Sequence, residues 1–162
     1  MKKLLILRHA KSDVTAEAHS DHERQINSRG IKNCIEIAEL MRKNHLIPDL
    51  ILSSTAKRAV ETSEQIRVKI NPEINISTTN RLYLAPPEKH VREIIKTNDE
   101  IKTLMIVGHN PAIEDLVGSL TGKNEKISTC TLTAFEIDIK KWKDFSIRTR
   151  VLKYKTFIPG KK

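Results

Sequence analysis

KLLILRHAKS, residues 3–12, joins an unbroken apolar run to an arginine, a histidine, a lysine and a serine. The run Leu4–Leu7 lacks the polar alternation of a half-exposed strand, so it predicts a central parallel strand covered on both faces. Arg8 and His9 follow at the carboxyl end of this strand, where open α/β sheets bind their ligands. Two adjacent residues are a weak motif, and an ordinary basic loop after a strand is the alternative interpretation.

The composition is that of one aliphatic α/β domain. A chain of 162 residues is long enough to bury roughly 70% of the surface that its unfolded form exposes. Hydrophobic residues make up 38% of the chain and aromatic residues 4%, so the core consists mostly of Ile, Leu, Val and Ala. We place a single domain at residues 1–158 and a basic C-terminal tail at residues 159–162.

The net charge of +9 favours an acidic or phosphorylated partner. A nucleic-acid-binding module would share this charge, but the basic residues are scattered and no nucleic-acid motif is present, so we expect no nucleic-acid partner. The first apolar run ends at Arg8, too early for a signal peptide or a membrane span. We therefore expect a cytoplasmic protein without a membrane partner. Cys34 and Cys130 lack CxxC spacing and are expected to be buried free thiols.

The rest of the chain alternates strands with helices. Residues 13–27 predict a long polar loop, and Ser28 is expected to cap a helix that ends near Asn44. Further strands are predicted at 49–53, 74–78 and 103–107, each followed by a helix, and the segments 129–139 and 145–156 predict an antiparallel edge hairpin. The expected fold is a three-layer α/β/α sandwich with a mostly parallel central sheet.

Four residues with phosphate chemistry follow the predicted parallel strands. Right-handed crossovers place the carboxyl ends of all these strands on one side of the sheet. Arg8, His9, Arg58 and His109 are therefore expected to converge there. Guanidinium forks match phosphate oxygens, and an imidazole can attack phosphorus or stabilise charge near neutral pH. These residues predict a phosphate pocket with a nucleophile.

The chain resembles the histidine phosphatase superfamily, which has the phosphoglycerate mutase-like fold, and most closely its SixA-like phosphohistidine phosphatase branch. The resemblance is carried by LLILRHAKS at 4–12, SRG at 28–30, DLILSSTAKRAVETSE at 49–64, LYLAPPE at 82–88 and VGHNPAIEDL at 107–116. It implies that His9 is the nucleophile, that Arg8 and Arg58 bind the phosphoryl oxygens, and that His109 stabilises the transition state. Because fixed Arg and His donors meet the charge, we expect neither a metal nor a cofactor.

Other residues of these motifs bear on the substrate. Ser12 and Asn110 are predicted to bind it. Lys11 stands where many phosphomonoesterase members carry an acidic residue, which points away from sugar-phosphate mutases. Glu88 is the candidate general acid, although its place at a predicted helix start favours a capping role. A phosphate monoester needs such an acid, whereas a phosphoramidate leaves as imidazole, a more easily protonated nitrogen.

The predicted function is that of a phosphatase with a phosphohistidine intermediate, acting on phosphohistidine of a protein such as a phosphotransfer domain. The alternative is a small-molecule phosphomonoesterase of the same fold, which a deep pocket with a placed carboxylate would indicate. The loop residues 19–23 include two histidines and two acids, but their spacing fits no standard metal site, so we expect a solvated loop. Two roles remain open for Arg24 and Arg29: they bind an acidic partner, or they are ordinary surface charges.

Overall fold

The computed structural model describes residues 1–15 and 18–161. Residues 16 and 17, in the predicted loop, and residue 162, in the predicted tail, lie outside the described residues. The strands are β1 (Lys2–Arg8), β2 (Leu50–Ser54), β3 (Asn75–Thr79), β4 (Thr103–Gly108), β5 (Leu132–Ile137) and β6 (Val151–Phe157). The α-helices are α1 (Ser28–Lys43), α2 (Lys57–Ile70), α3 (Pro87–Ile95) and α4 (Ala112–Thr121). Short 3-10 helices occupy Asp21–Glu23, Asn80–Leu82 and Trp142–Asp144.

The strands form one six-stranded sheet in the order β3-β2-β4-β1-β5-β6. The first four strands in this order are parallel to one another. The last two are antiparallel, with β5 paired to β1 and β6 paired to β5. In the central β1–β4 pair, Arg8 lies opposite Gly108. The structure confirms the predicted mostly parallel sheet with an antiparallel edge hairpin.

Two apolar cores lie on opposite faces of the sheet. Leu4 and Ile6 of β1 belong to the core that α3 and α4 cover, whereas Leu5 and Leu7 belong to the core that α1 and α2 cover. All four side chains are at most 1% exposed. Burial on both faces explains why the β1 sequence lacks polar alternation. The predicted three-layer α/β/α sandwich is therefore confirmed.

Several element boundaries differ from those predicted; among them, the second strand of the edge hairpin begins at Val151 rather than at residue 145. The helix cap is Asn27 rather than Ser28, because Asn27 is extended and its side chain accepts a hydrogen bond from the Gly30 N–H at 2.8 Å. Strand β5 begins later than predicted, since Cys130 has a left-handed φ of 59° and its N–H donates to the carbonyls of Arg8 and His9. Cys34 and Cys130 are both buried and unbridged, as predicted.

The C-terminal end of the described chain contacts α1. The Gly160 N–H donates to Glu36 Oε1 at 2.7 Å. Within the described ranges, no helix combines the length and the apolar character needed to cross a membrane.

Candidate active site

Four predicted residues meet at the carboxyl edge of the sheet. Arg8 ends β1, His9 follows it, His109 follows β4, and Arg58 lies in the first turn of α2. Because β1 and β4 are paired neighbours, the two histidine rings lie close together, with centroids 5.1 Å apart. The four side chains line a pocket of about 220 Å³. Its other lining residues are Lys11, Ser12, Arg24, Leu84, Asn110 and Thr129.

Backbone and side-chain contacts fix the loop that carries His9. The His9 N–H donates to the Gly108 carbonyl at 3.0 Å. The Ala10 N–H donates to Thr62 Oγ1 at 2.9 Å, which ties this loop to α2. A side chain at Gly30 would collide with the Lys11 backbone carbonyl, so only glycine lets the start of α1 approach so closely. The loop is thereby held between two helices and two strands.

The hydrogen bonds of His9 define which ring nitrogen can react. Nδ1 lies 2.8 Å from the Ala10 carbonyl oxygen, which can only accept, so Nδ1 carries the proton. Nε2 accepts from Arg58 Nε at 3.3 Å through its lone pair. Burial lowers the pKa of His9 to about 4, with a further contribution from the charges of Arg58 and Arg8. At neutral pH the ring is therefore uncharged, with a lone pair on Nε2.

His109 is held by a serine at the end of β2. Its Nε2 lies 2.8 Å from Ser54 Oγ, which in turn accepts the Ala56 N–H at 3.2 Å. The other ring nitrogen, Nδ1, is buried and has no hydrogen-bond partner among the described residues. Burial, reinforced by His9, lowers the pKa of His109 to about 3. The ring is neutral at pH 7 and can offer Nδ1 to a ligand.

The two arginines are fixed by carbonyl and carboxylate oxygens. Arg8 Nη1 donates to the Ile127 carbonyl at 2.9 Å. Arg58 is 4% exposed, and its Nη1 and Nη2 donate to the Asp21 carbonyl at 2.7 Å and to Asp21 Oδ2 at 3.0 Å. Burial lowers the pKa of Arg8, and Glu114 opposes that shift. Both guanidiniums are thus placed in the pocket before a ligand arrives.

Asp21 has contacts that the sequence analysis did not predict. Tyr83 Oη donates to its Oδ2 at 2.6 Å, and Arg24 Nη1 donates to its Oδ1 at 3.1 Å. The Tyr83 hydrogen bond is the main cause that lowers the pKa of Asp21 to about 2. Desolvation opposes this shift, whereas Arg58 and Arg24 add to it. Residues 19–23 are largely exposed, as predicted, but Asp21 contacts Arg58, and Arg24, which follows this loop, lines the pocket. The i, i+3 spacing of Asp21 and Arg24 was the available sequence signal.

The predicted substrate-binding residues and the predicted acid lie in different places. Ser12 and Asn110 both line the pocket, where Ser12 Oγ accepts from Arg24 Nη2 at 3.0 Å. Asn110 Nδ2 donates to Glu114 Oε1 and to the Ile127 carbonyl, both at 2.9 Å. Glu88 is exposed in the first turn of α3 and does not line this pocket.

The polar loop residues contact protein groups near the pocket. His22 Nε2 lies 2.9 Å from Thr55 Oγ1, and its ring meets Tyr83 edge to face. Glu23 Oε2 accepts the His19 N–H at 3.2 Å. Among the described residues, no group of three or more His, Cys, Asp or Glu side chains could hold a metal ion.

The pocket rim differs from its floor. Lys11 is exposed, and Leu84 is 59% exposed with a left-handed φ of 46°. Of the described residues that line this pocket, none is an aspartate or a glutamate. The site therefore combines cationic and imidazole groups on its floor with a basic and apolar rim.

The comparisons with known proteins concern the family and the fold. The family profile described as "Histidine phosphatase superfamily (branch 1)" matches residues 4–83. An uncharacterised protein of Mycobacterium leprae is 34% identical over 119 residues, which cover 72% of this chain and 71% of that protein. A crystal structure assigned as the phosphohistidine phosphatase SixA from Agrobacterium tumefaciens has a TM-score of 0.78 and 27% identity, covering 94% of this chain and 96% of that one.

A small-molecule phosphatase shares the fold as well. The structure of a mycobacterial glucosyl-3-phosphoglycerate phosphatase has a TM-score of 0.68 and 15% identity, covering 98% of both chains. At this identity the likeness concerns the fold alone. The predicted resemblance to the superfamily and to its SixA-like members is confirmed.

Proposed function

Because the chain belongs to the histidine phosphatase superfamily, we propose that this phosphatase acts on phosphohistidine of a protein, such as a phosphotransfer domain. The observation that carries this substrate class is that none of the described residues lining the pocket is a carboxylic acid, the usual general acid for an alkoxide leaving group. A phosphoramidate can leave as neutral imidazole, because its other ring nitrogen takes a proton from water. A phosphomonoester must expel an alkoxide, which needs a side-chain acid at neutral pH.

The first chemical step is a displacement at phosphorus by His9. The Nε2 lone pair of the neutral ring exchanges its 3.3 Å contact with Arg58 Nε for the phosphorus atom when substrate binds, while the Nδ1–H donates to the Ala10 carbonyl. A bond forms between Nε2 and phosphorus as the bond to the substrate nitrogen breaks, and the electron pair leaves with the imidazole. The free N–H groups of Arg8 and Arg58 meet the negative charge on the equatorial oxygens.

The second step returns His9 to its starting state. Water attacks phosphorus, the bond to Nε2 breaks, and the water proton leaves with inorganic phosphate or passes to solvent. His109 stabilises both displacements if the Ser54 hydroxyl donates to its Nε2, because Nδ1 then carries a proton for a phosphoryl oxygen. The lack of a described partner for Nδ1 supports this role.

Neither nearby carboxylic acid can serve as a general acid for an alkoxide leaving group. The pKa of Asp21 is about 2, so this carboxyl is ionised at neutral pH. Glu88 is exposed on α3 and lies outside the pocket lining. The Tyr83 hydroxyl donates a hydrogen bond to Asp21 and so is directed away from a leaving group, and burial raises the pKa of this hydroxyl.

The pocket mouth supports a protein as the carrier of the phosphohistidine. The reactive groups are buried at the floor, whereas Lys11 and Leu84 reach solvent at the rim. A side chain presented by another protein can therefore enter the pocket from its surface. The net charge of +9 would attract an acidic partner.

The test is phosphate release from a histidine-phosphorylated phosphotransfer domain in the presence of a chelator. The wild type should release phosphate, and His9→Ala should lose at least about 10⁴-fold in rate, since the nucleophile is removed. A mutant that retains wild-type activity would exclude His9 as the nucleophile. Hydrolysis of phosphomonoesters in place of phosphohistidine would favour the small-molecule alternative.

A further inference from the structure

We propose that Asp21 is a positioning residue that fixes the Arg58 guanidinium beside His9. This role presupposes the phosphatase chemistry proposed above, but it does not depend on the leaving group. Asp21 holds Arg58 through its backbone carbonyl at 2.7 Å and through Oδ2 at 3.0 Å. The same guanidinium donates through Nε to His9 Nε2 at 3.3 Å. One residue of the loop thus sets the orientation of a cation that contacts the nucleophile.

The contacts leave Arg58 able to bind phosphate. A guanidinium carries one hydrogen on Nε and two on each terminal nitrogen. Asp21 occupies one N–H of each terminal nitrogen, so the second N–H of each remains for phosphoryl oxygens. A planar fork held on one side presents its other side in a fixed direction. The carboxylate therefore restricts the arginine without consuming all of its donors.

Asp21 is itself held from several directions. Tyr83 Oη and Arg24 Nη1 donate to its two carboxylate oxygens, at 2.6 and 3.1 Å. The adjacent His22 contacts Thr55 Oγ1 at 2.9 Å, which ties the 3-10 helix to the β2–α2 connection. The Tyr83 ring meets His109 edge to face, with centroids 5.6 Å apart. This network links the loop to both histidines of the pocket floor.

A competing interpretation is that Asp21 occupies the place of the substrate phosphate and leaves when substrate binds. The backbone contact argues against it, because the Asp21 carbonyl holds Arg58 independently of the carboxylate. The Tyr83 and Arg24 contacts also hold the carboxylate, whose side chain is 44% exposed, outside the residues that line the pocket. A positioning residue and a competing anion predict opposite effects of substitution. Removing the charge impairs catalysis in the first case and improves substrate binding in the second.

The test compares four variants with the wild type on two substrates. Asp21→Asn keeps the shape and removes the charge, Asp21→Glu restores the charge, and Tyr83→Phe removes one support of the carboxylate. Glu23→Gln is the matched control, since it removes a carboxylate from the same 3-10 helix that does not contact Arg58. The substrates are the phosphoramidate ion and a histidine-phosphorylated protein. Initial rates give kcat and KM separately, and thermal melting reports folding.

We expect kcat of Asp21→Asn to fall about 10- to 100-fold on both substrates, with KM changed less than about threefold. Tyr83→Phe should lose less, Asp21→Glu should regain part of the rate, and Glu23→Gln should match the wild type. Unchanged kcat, or a lower KM, in Asp21→Asn would overturn the proposal. A loss confined to the protein substrate would also overturn it, because Asp21 would then contact the partner.

Vanadate binding separates this proposal from the proposed substrate. Vanadate imitates the five-coordinate phosphorus of the transition state, so its affinity follows transition-state stabilisation. Calorimetry should show that Asp21→Asn binds vanadate about 10- to 100-fold more weakly than the wild type. Equal affinities would contradict the positioning role. This result stands even if the wild type fails to hydrolyse phosphohistidine, a failure that would count against the proposed function alone.

Discussion

The floor and the rim of the pocket differ in burial and in chemistry. On the floor, His9, Arg58 and His109 are 7%, 4% and 3% exposed, and each has a fixed hydrogen-bond partner. At the rim, Lys11 and Leu84 are exposed, and no described lining residue is an acid. In the proposed mechanism the floor contacts the transferring phosphoryl group, so it would stabilise that group whatever the leaving group is. The rim faces the leaving group in this mechanism, so it would select among substrates.

Among the changes considered, a substitution on the pocket floor should reduce phosphatase activity the most. Arg58→Lys keeps the charge but loses the planar fork that contacts His9 and Asp21 together. We expect kcat to fall about 100-fold or more, since one preorganised donor set at the transition state is removed. The measurement is phosphate release from phosphoramidate at saturating substrate. Arg67→Lys, on the same helix, is the matched control, and equal losses in the two variants would contradict a special role for Arg58.

Altering the rim should change selectivity. Leu84→Glu places a carboxyl at the pocket wall and should raise kcat/KM for an alkyl phosphate about tenfold. The gain should be largest near pH 5, where more of the carboxyl is protonated. Leu84→Gln is the control, because it has a similar size and no acidic proton. If Leu84→Gln gained as much as Leu84→Glu, proton donation would be excluded as the cause.

The burial of His9 and His109 on the pocket floor should also make the free energy of unfolding depend on pH. The folded-state pKa values of His9 and His109, about 4 and about 3, lie below their ordinary value of 6.5. Below pH 6.5 the unfolded chain takes up protons that the folded chain excludes, so stability falls as the pH falls. Between pH 6.5 and its own folded-state pKa, about 4 for His9 and about 3 for His109, each histidine should lower the free energy of unfolding by at most about 1.4 kcal/mol per pH unit.

Denaturant unfolding between pH 7 and pH 5 measures this slope. That window lies above the pKa of Asp21, about 2, so loss of its carboxylate does not contribute. His109→Asn should flatten the slope by the share of one histidine. A stability that stays constant between pH 7 and pH 5 would contradict the neutral, buried state of the floor.

The site residues that follow strands were predictable from the sequence, whereas the contacts of the polar loop were not. Arg8, His9 and His109 each follow an apolar strand, and parallel strands end at one edge, so their meeting was predictable. Arg58 was predictable from its place in the first turn after β2. The contact of Asp21 with Arg58 and Tyr83 joins segments 37 and 62 residues apart in the chain. A polar loop has no periodicity that would indicate such partners.

Smaller features depended on geometry that composition does not encode. Asn27 and Ser28 are both suitable helix caps, and only the backbone conformation of Asn27 decides between them. Likewise, Glu88 lies six residues after Leu82 in a motif that reaches the pocket, but α3 turns it away from the lining. Leu84 reaches the pocket instead, and its left-handed backbone had no signature in the sequence.

The central claim is that the floor catalyses phosphoryl transfer without a carboxylic general acid at the rim. The most direct measurement is kcat/KM of the wild type for a series of aryl phosphates whose leaving groups differ in pKa. Without an acid, the negative charge on the departing oxygen is uncompensated, so the account predicts a steep fall in kcat/KM as the leaving-group pKa rises. A nearly flat dependence, with chemistry shown to limit the rate, would require a proton donor in the pocket and would contradict the account.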